Sequence, residues 1–151
     1  KKLGIEVAKE DIFPSSYALV GYLEMVDFKS KNKKVCLVGS VGIENELIES
    51  GIDFIRADEK WDRESDVDAL TQLTKVEIDE NIGAVLIGWD INLNYFKLGY
   101  ASIHLRALPD CLFLASNTDH VFPGANNRFY PGSGTGVAAL AMAAGRQPDV
   151  M

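Results

Sequence analysis

Four short apolar runs in the chain have the length and composition of buried β-strands. They cover residues 34–38, 52–55, 84–89 and 112–115. A further stretch, residues 148–151, resembles the first residues of a strand. Because aliphatic side chains follow one another without alternation in these runs, the strands are expected to lie inside the protein and not at its surface.

Helical periodicity fills the segments between the runs. Residues 15–27 carry apolar side chains every three or four positions, which predicts a helix capped by Ser15 or Ser16 and ending near Asp27. The lysine-rich residues 29–34 are interpreted as a solvated linker. Further helices are predicted before Gly51, in the first half of residues 67–80, after a cap at Asn94, and over residues 137–144 before Gly145.

Strand, helix and strand follow one another twice, in residues 34–55 and 84–115. Such βαβ units favour parallel pairing with a right-handed crossover. The predicted fold class is therefore α/β, a layered sheet built from βαβ units with helices. Sheets of this kind place binding sites where strands end and helices begin, which here means residues 39–42, 88–94 and 116–119.

The composition excludes several classes of function. Of the 151 residues, 47% are hydrophobic and 25% are charged, as in an ordinary globular domain, and no apolar run is long enough to span a membrane. The formal net charge of -7 would repel nucleic acid and anionic lipid. No apolar signal segment follows the basic residues 1–2, so a cytoplasmic location is expected.

Two motifs look like known signatures but have simpler explanations. Residues 132–136, Gly-Ser-Gly-Thr-Gly, lack a P-loop lysine and the GxGxxG spacing, which favours a hinge or a tight helix start over a nucleotide site. Asp66 and Asp68 form an Asp-x-Asp pair, but no buried strand precedes them as phosphoryl transfer would require. Acidic residues at a helix N-terminus explain that pair better.

The histidines and cysteines predict no catalytic or metal centre. His104 and His120 have no partner at metal-ligand spacing, so a zinc site is not expected. A triad of Ser116, Asp119 and His120 would require three side chains of one short loop to converge. The geometry of a short loop disfavours this, so no triad is expected. Both cysteines lie in apolar runs and are interpreted as small buried hydrophobes.

Polar residues gather where two of the predicted strands end. An α/β domain presents ligand contacts in this way. The alternative is that these side chains form Asx turns and helix caps, and for Asn94 and Asp119 the sequence does not decide between the two. The candidate substrate-binding residues are Asp90, Asn92, Asn94, Tyr95, Asn117 and Asp119.

Several motifs also occur in the order and spacing of one enzyme group. They are Gly88-Trp89-Asp90, Tyr95-x-Lys97-Leu98, residues 111–119 (CLFLASNTD), residues 131–136 (PGSGTG) and residues 145–148 (GRQP). In these motifs the chain resembles the 4-nitrophenylphosphatase, phosphoglycolate phosphatase and pyridoxal phosphatase group of the haloacid dehalogenase superfamily. The resemblance covers nearly the whole chain.

The resemblance implies that this chain is a fragment without the reacting groups. In that family a core domain supplies the nucleophilic Asp, the acid Asp, a Lys and the ligands of Mg²⁺, and none of these motifs is in this chain. Residues 1–32 would be the end of a segment of the Rossmann-like core with a hinge helix. Residues 33–130 would be an α/β cap domain, and residues 131–151 a hinge with a returning core helix.

By position, residues 90–95 correspond to the family's substrate-specificity loop. Asn92 stands where some relatives have His, which disfavours pyridoxal phosphate, while phosphoglycolate or a range of aryl and sugar phosphates remains open. The leading hypothesis is the substrate-recognising cap of a Mg²⁺-dependent phosphomonoesterase, which forms an aspartyl phosphate and acts on small phosphorylated metabolites. The resemblance also implies homodimers through the cap. The alternative is a stand-alone dimerisation or ligand-binding module without catalysis.

Overall fold

The structure, a computed structural model, describes residue 4, residues 6–8 and residues 11–151. Part of the predicted end of a core segment, residues 1–3, 5, 9 and 10, lies outside these residues. The strands are β1 (Lys34–Val38), β2 (Phe54–Arg56), β3 (Ile82–Ile87), β4 (Leu112–Ala115), β5 (Val121–Pro123), β6 (Phe129–Pro131) and β7 (Asp149–Val150). A parallel sheet has the order β2, β1, β3, β4, β7, and β5 and β6 form a separate antiparallel hairpin.

Helices connect and cover the strands. The α-helices of the described residues are α1 (Ser15–Met25), α2 (Val41–Glu49), α3 (Ala69–Leu73), α4 (Tyr95–Ala107) and α5 (Ser133–Ala144). Short 3-10 helices lie at Phe28–Lys31 and Ala125–Asn127. None of the helices in this part of the chain has the length and apolar character that a membrane crossing requires.

Alternate side chains of the sheet enter two separate hydrophobic cores. On one face, Val35 and Leu37 of β1 pack in a cluster with buried residues of α1 and α2. On the other face, Cys36 and Val38 pack in a cluster with buried residues of α3, α4 and α5. Strands that are buried on both faces read as continuous apolar runs, which explains the pattern in the sequence. The predicted α/β fold class is confirmed.

The strand order changes direction between β1 and β3. β2 lies on one side of β1, while β3, β4 and β7 follow on the other side in chain order. The helix after β1 covers one face of the sheet and the helix after β3 covers the other. In open α/β sheets a crevice forms at such a point, outside the carboxyl ends of the strands. The loop after β3, with its predicted site residues, therefore lies beside this crevice.

Some strand and helix boundaries agree with the predictions and others shift. β1 and β4 have the predicted bounds, and Asn94 caps α4 as predicted, with its Oδ1 accepting a hydrogen bond from the Lys97 N–H at 3.0 Å. β2 begins at Phe54 and not at residue 52, because the N–H of Ile52 still bonds to a carbonyl of α2. β3 ends at Ile87, so residues 88–89 belong to the loop.

The predictions for the starts of α1 and α5 were wrong. Neither Ser15 nor Ser16 caps α1; Pro14 is the N-cap residue, and its carbonyl accepts the first hydrogen bonds of the helix. α5 begins at Ser133 and not at residue 137, because its glycines allow the chain to start the helix in contact with another loop. The lysine-rich linker includes one turn of 3-10 helix.

The segments that the sequence assigns to a core and a hinge contact the same sheet as the predicted cap domain. α1 lies in one hydrophobic cluster with α2, and α5 lies in the other with α4. β7 extends the sheet beside β4. The domain boundaries after residues 32 and 130 remain a prediction, since all three segments pack together here.

The two free cysteines are buried, as predicted. Burial raises the pKa of Cys111 to about 11 and raises the pKa of Cys36 further. A raised pKa keeps the thiol protonated at about pH 8, and only the thiolate reacts readily. We therefore expect the folded protein to react with a thiol reagent far more slowly than the unfolded protein. Labelling with a chromogenic disulfide, with and without denaturant, measures this difference. Rapid labelling of both thiols in the folded protein would contradict the burial.

Candidate functional site

A pocket of about 500 Å³ opens at the carboxyl edge of the sheet. It lies between the loop after β3, the β5–β6 hairpin and the start of α5, and its volume is typical of a small-molecule site. A larger hollow of about 740 Å³ lies beside the loop that enters β3, at the opposite end of that strand, and contains none of the predicted site residues. We therefore take the pocket at the carboxyl edge as the candidate site.

Three aromatic side chains line this pocket. Trp89 contacts Phe122 edge to face, with ring centroids 5.7 Å apart, and Phe122 contacts Tyr130 at 5.8 Å. Trp89 belongs to the loop after β3, whereas Phe122 and Tyr130 lie on the two strands of the hairpin. Each ring remains partly exposed. The pocket thus offers aromatic faces to a planar or apolar group of a ligand.

The loop after β3 is closed by its own hydrogen bonds. Asp90 Oδ1 accepts a hydrogen bond from the Asn92 N–H at 2.8 Å, and Asn94 Nδ2 donates to the Asn92 carbonyl at 3.0 Å. Ile91 and Tyr95 are exposed beside these bonds. Of the predicted site residues in this loop, Asp90 and Asn94 hold its shape, while Asn92 and Tyr95 present exposed side chains.

A buried ion network lies beneath the loop. Lys97 Nζ lies 2.7 Å from Asp90 Oδ2 and 3.5 Å from Asp58 Oδ2, and the three side chains are 3%, 5% and 8% exposed. Asp58 also pairs with Arg63 and lies 3.8 Å from Arg56. Buried charges in proteins are normally paired in this way. The network joins the loop after β2, the loop after β3 and the first turn of α4.

Sequence reasoning missed both Lys97 and Asp58 as site residues. Lys97 follows Phe96 on a helix that has many buried residues. An unpaired lysine in such a helix would be unfavourable, so the sequence contained a usable signal for a buried partner. Asp58 lies in a charged stretch that reads as a solvated loop, and nothing in the sequence distinguishes it from its neighbours.

The predicted residues after β4 lie against the start of α5. The Asn117 carbonyl accepts a hydrogen bond from Ser133 Oγ at 3.3 Å, and the Asp119 carbonyl accepts one from the Gly134 N–H at 2.9 Å. Asn117 Oδ1 is buried and accepts no hydrogen bond from the residues that the structure describes. The Asp119 side chain is exposed and does not line the aromatic pocket. Asp90 lines that pocket, whereas Asn117 and Asp119 do not.

The glycines of residues 132–136 serve a tight helix start. A Cβ on Gly132 would clash with the Asp119 carbonyl, and a Cβ on Gly134 would clash with the Thr118 carbonyl. The N–H groups of both glycines donate to carbonyls of the preceding loop. These bonds use donors that a nucleotide phosphate would need, which agrees with the interpretation made from the sequence.

Replacing Gly134 with alanine is expected to lower the free energy of unfolding by about 1–3 kcal/mol, because backbone must move to admit the methyl group. Gly42→Ala is the matched control, since Gly42 also lies near a helix start but its Cβ would meet no atom within 4 Å. The control should change stability by less than about 1 kcal/mol. Chemical denaturation measures both, and equal losses would contradict the close approach at Gly134.

The remaining candidates have structural roles. His104 is fully buried, its Nδ1 bonds to the Tyr100 carbonyl at 2.8 Å, and its Nε2 accepts a hydrogen bond from the Asp79 N–H at 3.1 Å. Asp68 caps α3 through the Thr71 N–H, which lowers the pKa of its carboxyl group. Asp68 thus lies at a helix N-terminus, as the sequence indicates.

The carboxylates of this site do not fit a magnesium ion. No group of three or more His, Cys, Asp and Glu side chains is placed to hold a metal among residues 4, 6–8 and 11–151. The clustered carboxylates of Asp58 and Asp90 bind cationic side chains instead.

Comparison with known proteins gives close relatives but no match to a protein-family model. The chain is 35% identical over 149 residues to phosphoglycolate phosphatase 1A of Arabidopsis thaliana, which is 99% of this chain and 40% of that protein. It is 36% identical over 148 residues to the 4-nitrophenylphosphatase of Schizosaccharomyces pombe, which is 98% of this chain and 48% of that protein. The chain thus spans less than half the length of either relative.

Solved structures share the fold. A hypothetical protein of Pyrococcus horikoshii superposes with a TM-score of 0.72 at 27% identity, over 99% of this chain and 49% of that one. The glycerol phosphate phosphatase of Mycobacterium tuberculosis in complex with magnesium superposes with a TM-score of 0.71 at 24% identity, over 99% and 38% of the two chains, and is similar in fold. These two matches show the fold that the chain shares with them. The curated relatives confirm the resemblance of this chain to the haloacid dehalogenase-type phosphatases, in the group of the phosphoglycolate phosphatases and 4-nitrophenylphosphatases.

Proposed function

We propose that this chain is the substrate-recognising cap of a phosphomonoesterase whose reacting groups lie outside these residues. The observation that carries the proposal is the aromatic pocket beside the loop of residues 90–95, at the carboxyl edge of a parallel sheet. Relatives named as phosphatases match the chain over nearly its full length. A pocket of this kind can bind the leaving group, which is the part of the substrate from which the phosphate is removed.

The charge of the site suits a phosphorylated substrate. An unpaired Asp90 would repel the anion, but its carboxylate is bound by Lys97 and is 5% exposed. The exposed groups of the loop are the neutral side chains of Ile91, Asn92 and Tyr95. A neutral loop over an apolar pocket can close on a substrate and exclude water, which strengthens the electrostatic interactions of the reacting groups.

The proposal leaves the nucleophile and the metal to another part of the protein. The whole enzyme would form an aspartyl phosphate with Mg²⁺ bound, as the family resemblance implies. No step of that chemistry involves a residue of this chain. The chain's own contribution is binding and orienting the leaving group, which lowers the activation barrier by positioning.

The aromatic walls bear on the substrate class. Asn92 in place of His disfavours pyridoxal phosphate on sequence grounds. Trp89, Phe122 and Tyr130 nevertheless provide contacts that an aromatic leaving group would use, which a small leaving group such as glycolate would not. Aryl phosphates are therefore proposed as good substrates of the whole enzyme.

A panel of phosphate esters tests the proposal. The full-length protein is expected to hydrolyse 4-nitrophenyl phosphate when Mg²⁺ is present and to lose this activity with a chelator. Phosphoglycolate and glycerol 3-phosphate complete the panel and compare small leaving groups with an aryl one. Binding of these esters without turnover by the full-length protein would favour the alternative, a ligand-binding or dimerisation module without catalysis.

Homodimers through the cap and a cytoplasmic location remain proposals from the sequence. Sedimentation velocity of the full-length protein tests the first of these. A single species with the mass of two chains is the expected result. Imaging of the tagged full-length protein tests the second.

A further inference from the structure

The buried ion network does more than neutralise charge, because Lys97 is bonded to both ends of the loop after β3. Its ammonium group binds Asp90 at the start of the loop at 2.7 Å. Its backbone N–H donates to Asn94 Oδ1 at the end of the loop at 3.0 Å. The residues between these anchors include Ile91, which is 77% exposed. One residue of α4 therefore fixes the base of the loop while the loop's outer side chains stay free.

The same ammonium group ties the loop to the neighbouring strand connection. Lys97 Nζ lies 3.5 Å from Asp58 Oδ2, and Asp58 follows β2. Arg56 pairs in turn with Glu44 of α2 at 2.7 Å and lies 3.8 Å from Asp58. The network thus runs from the loop after β3 to α2, which packs on one face of the sheet. Its three basic and three acidic side chains balance in charge.

We propose that Lys97, together with Asp58, is a positioning residue. It sets the placement of the loop after β3 and thereby the substrate specificity of the enzyme. Neither side chain would touch the substrate. Groups held by packing and supporting bonds keep a binding loop within the small tolerance that recognition requires. Removing Lys97 would leave Asp90 buried without its partner, and the loop would have to open to hydrate it. This inference rests on the proposed function, since it takes the loop to contact the substrate.

Hydrogen exchange on the full-length protein tests the placement without using activity. In Lys97→Met, the hydrogen-bonded amides of residues 92, 93 and 97 are expected to exchange faster by about tenfold or more, while those of β1 and β4 keep their protection. Lys34→Met is the matched control: it removes the ion pair with Asp79, 2.6 Å long, at the other end of the sheet. The control should leave the loop amides unchanged. Unchanged loop exchange in Lys97→Met, or uniformly faster exchange across the sheet, would overturn the inference.

If Lys97→Met does not fold, the double variant Lys97→Met with Asp90→Asn keeps the test decisive. It removes one positive and one negative charge, and Asp58 keeps Arg63 as a partner. The double variant is expected to fold and to show the same local loss of protection. Retained protection of the loop in the double variant would overturn the inference.

A ratio of two substrates separates positioning from general damage. In the full-length enzyme, kcat/KM for 4-nitrophenyl phosphate divided by kcat/KM for phosphoglycolate is expected to change by about fivefold or more in Lys97→Met and to stay constant in Lys34→Met. Partial unfolding would lower both values equally and leave the ratio unchanged, which would overturn the role in specificity. If the wild-type enzyme hydrolyses neither ester, the proposed function fails, while the exchange experiment still decides how the loop is held.

Discussion

Replacing Lys97 with alanine is expected to lower the free energy of unfolding by about 3–5 kcal/mol. The Lys97 side chain is 3% exposed and its ammonium group pairs with two carboxylates, so its loss leaves the buried carboxylate of Asp90 without a partner. The burial of the aliphatic part of the Lys97 side chain is lost as well. Urea unfolding measures the change, and Trp61 is a suitable fluorescent probe because it stacks on the neighbouring Phe96 at 5.7 Å.

Lys34→Ala is the control for this expectation. Lys34 also pairs with an aspartate, but its side chain is 30% exposed, and such pairs contribute only about 0–1 kcal/mol. The difference between the two variants isolates the effect of burial. Similar losses in both variants would contradict the buried network.

Replacing Tyr130 with alanine is expected to lower kcat/KM for 4-nitrophenyl phosphate about tenfold more than kcat/KM for phosphoglycolate, in the full-length enzyme. The ring lines the candidate pocket and contacts Phe122, so its loss removes an aromatic face from the leaving-group site. A tenfold effect corresponds to about 1.4 kcal/mol, the size expected for one such contact. Steady-state kinetics with both esters give the comparison.

Phe129→Ala controls for damage to the hairpin. Phe129 precedes Tyr130 in the same strand, but its side chain is 70% exposed and does not line the pocket. This variant should leave the ratio of the two substrates unchanged. An equal effect of both substitutions on that ratio would place the aryl site elsewhere.

The layers of the fold could be read from the sequence because buried parallel strands leave a strong pattern. The run at residues 34–38 and the run at residues 112–115 have the bounds of β1 and β4. Helix ends were harder. Ser15 and Ser16 are residue types that often cap helices, but Pro14 takes that position, and its carbonyl accepts the first hydrogen bonds of the helix.

The sequence predicted the loop beside which the candidate pocket lies, but few of the contacts within it. Polar residues after β3 were expected to meet a ligand, yet Asp90 is turned inward because Lys97 lies beneath it. That pairing spans seven positions and depends on how α4 packs, which no local pattern reports. Residues 116–134 are rich in Asn, Asp, Gly and Pro, which indicates only an irregular loop or a hairpin, so the aromatic contact between Trp89 and Phe122 could not be foreseen.

The central claim, that this chain recognises the substrate and the reacting groups lie outside it, is tested most directly by comparing two proteins in one assay. The full-length protein and the 151-residue chain are each incubated with 4-nitrophenyl phosphate and Mg²⁺. We expect turnover by the full-length protein and none by the 151-residue chain. Turnover by the 151-residue chain at a rate comparable to the full-length protein would contradict the claim.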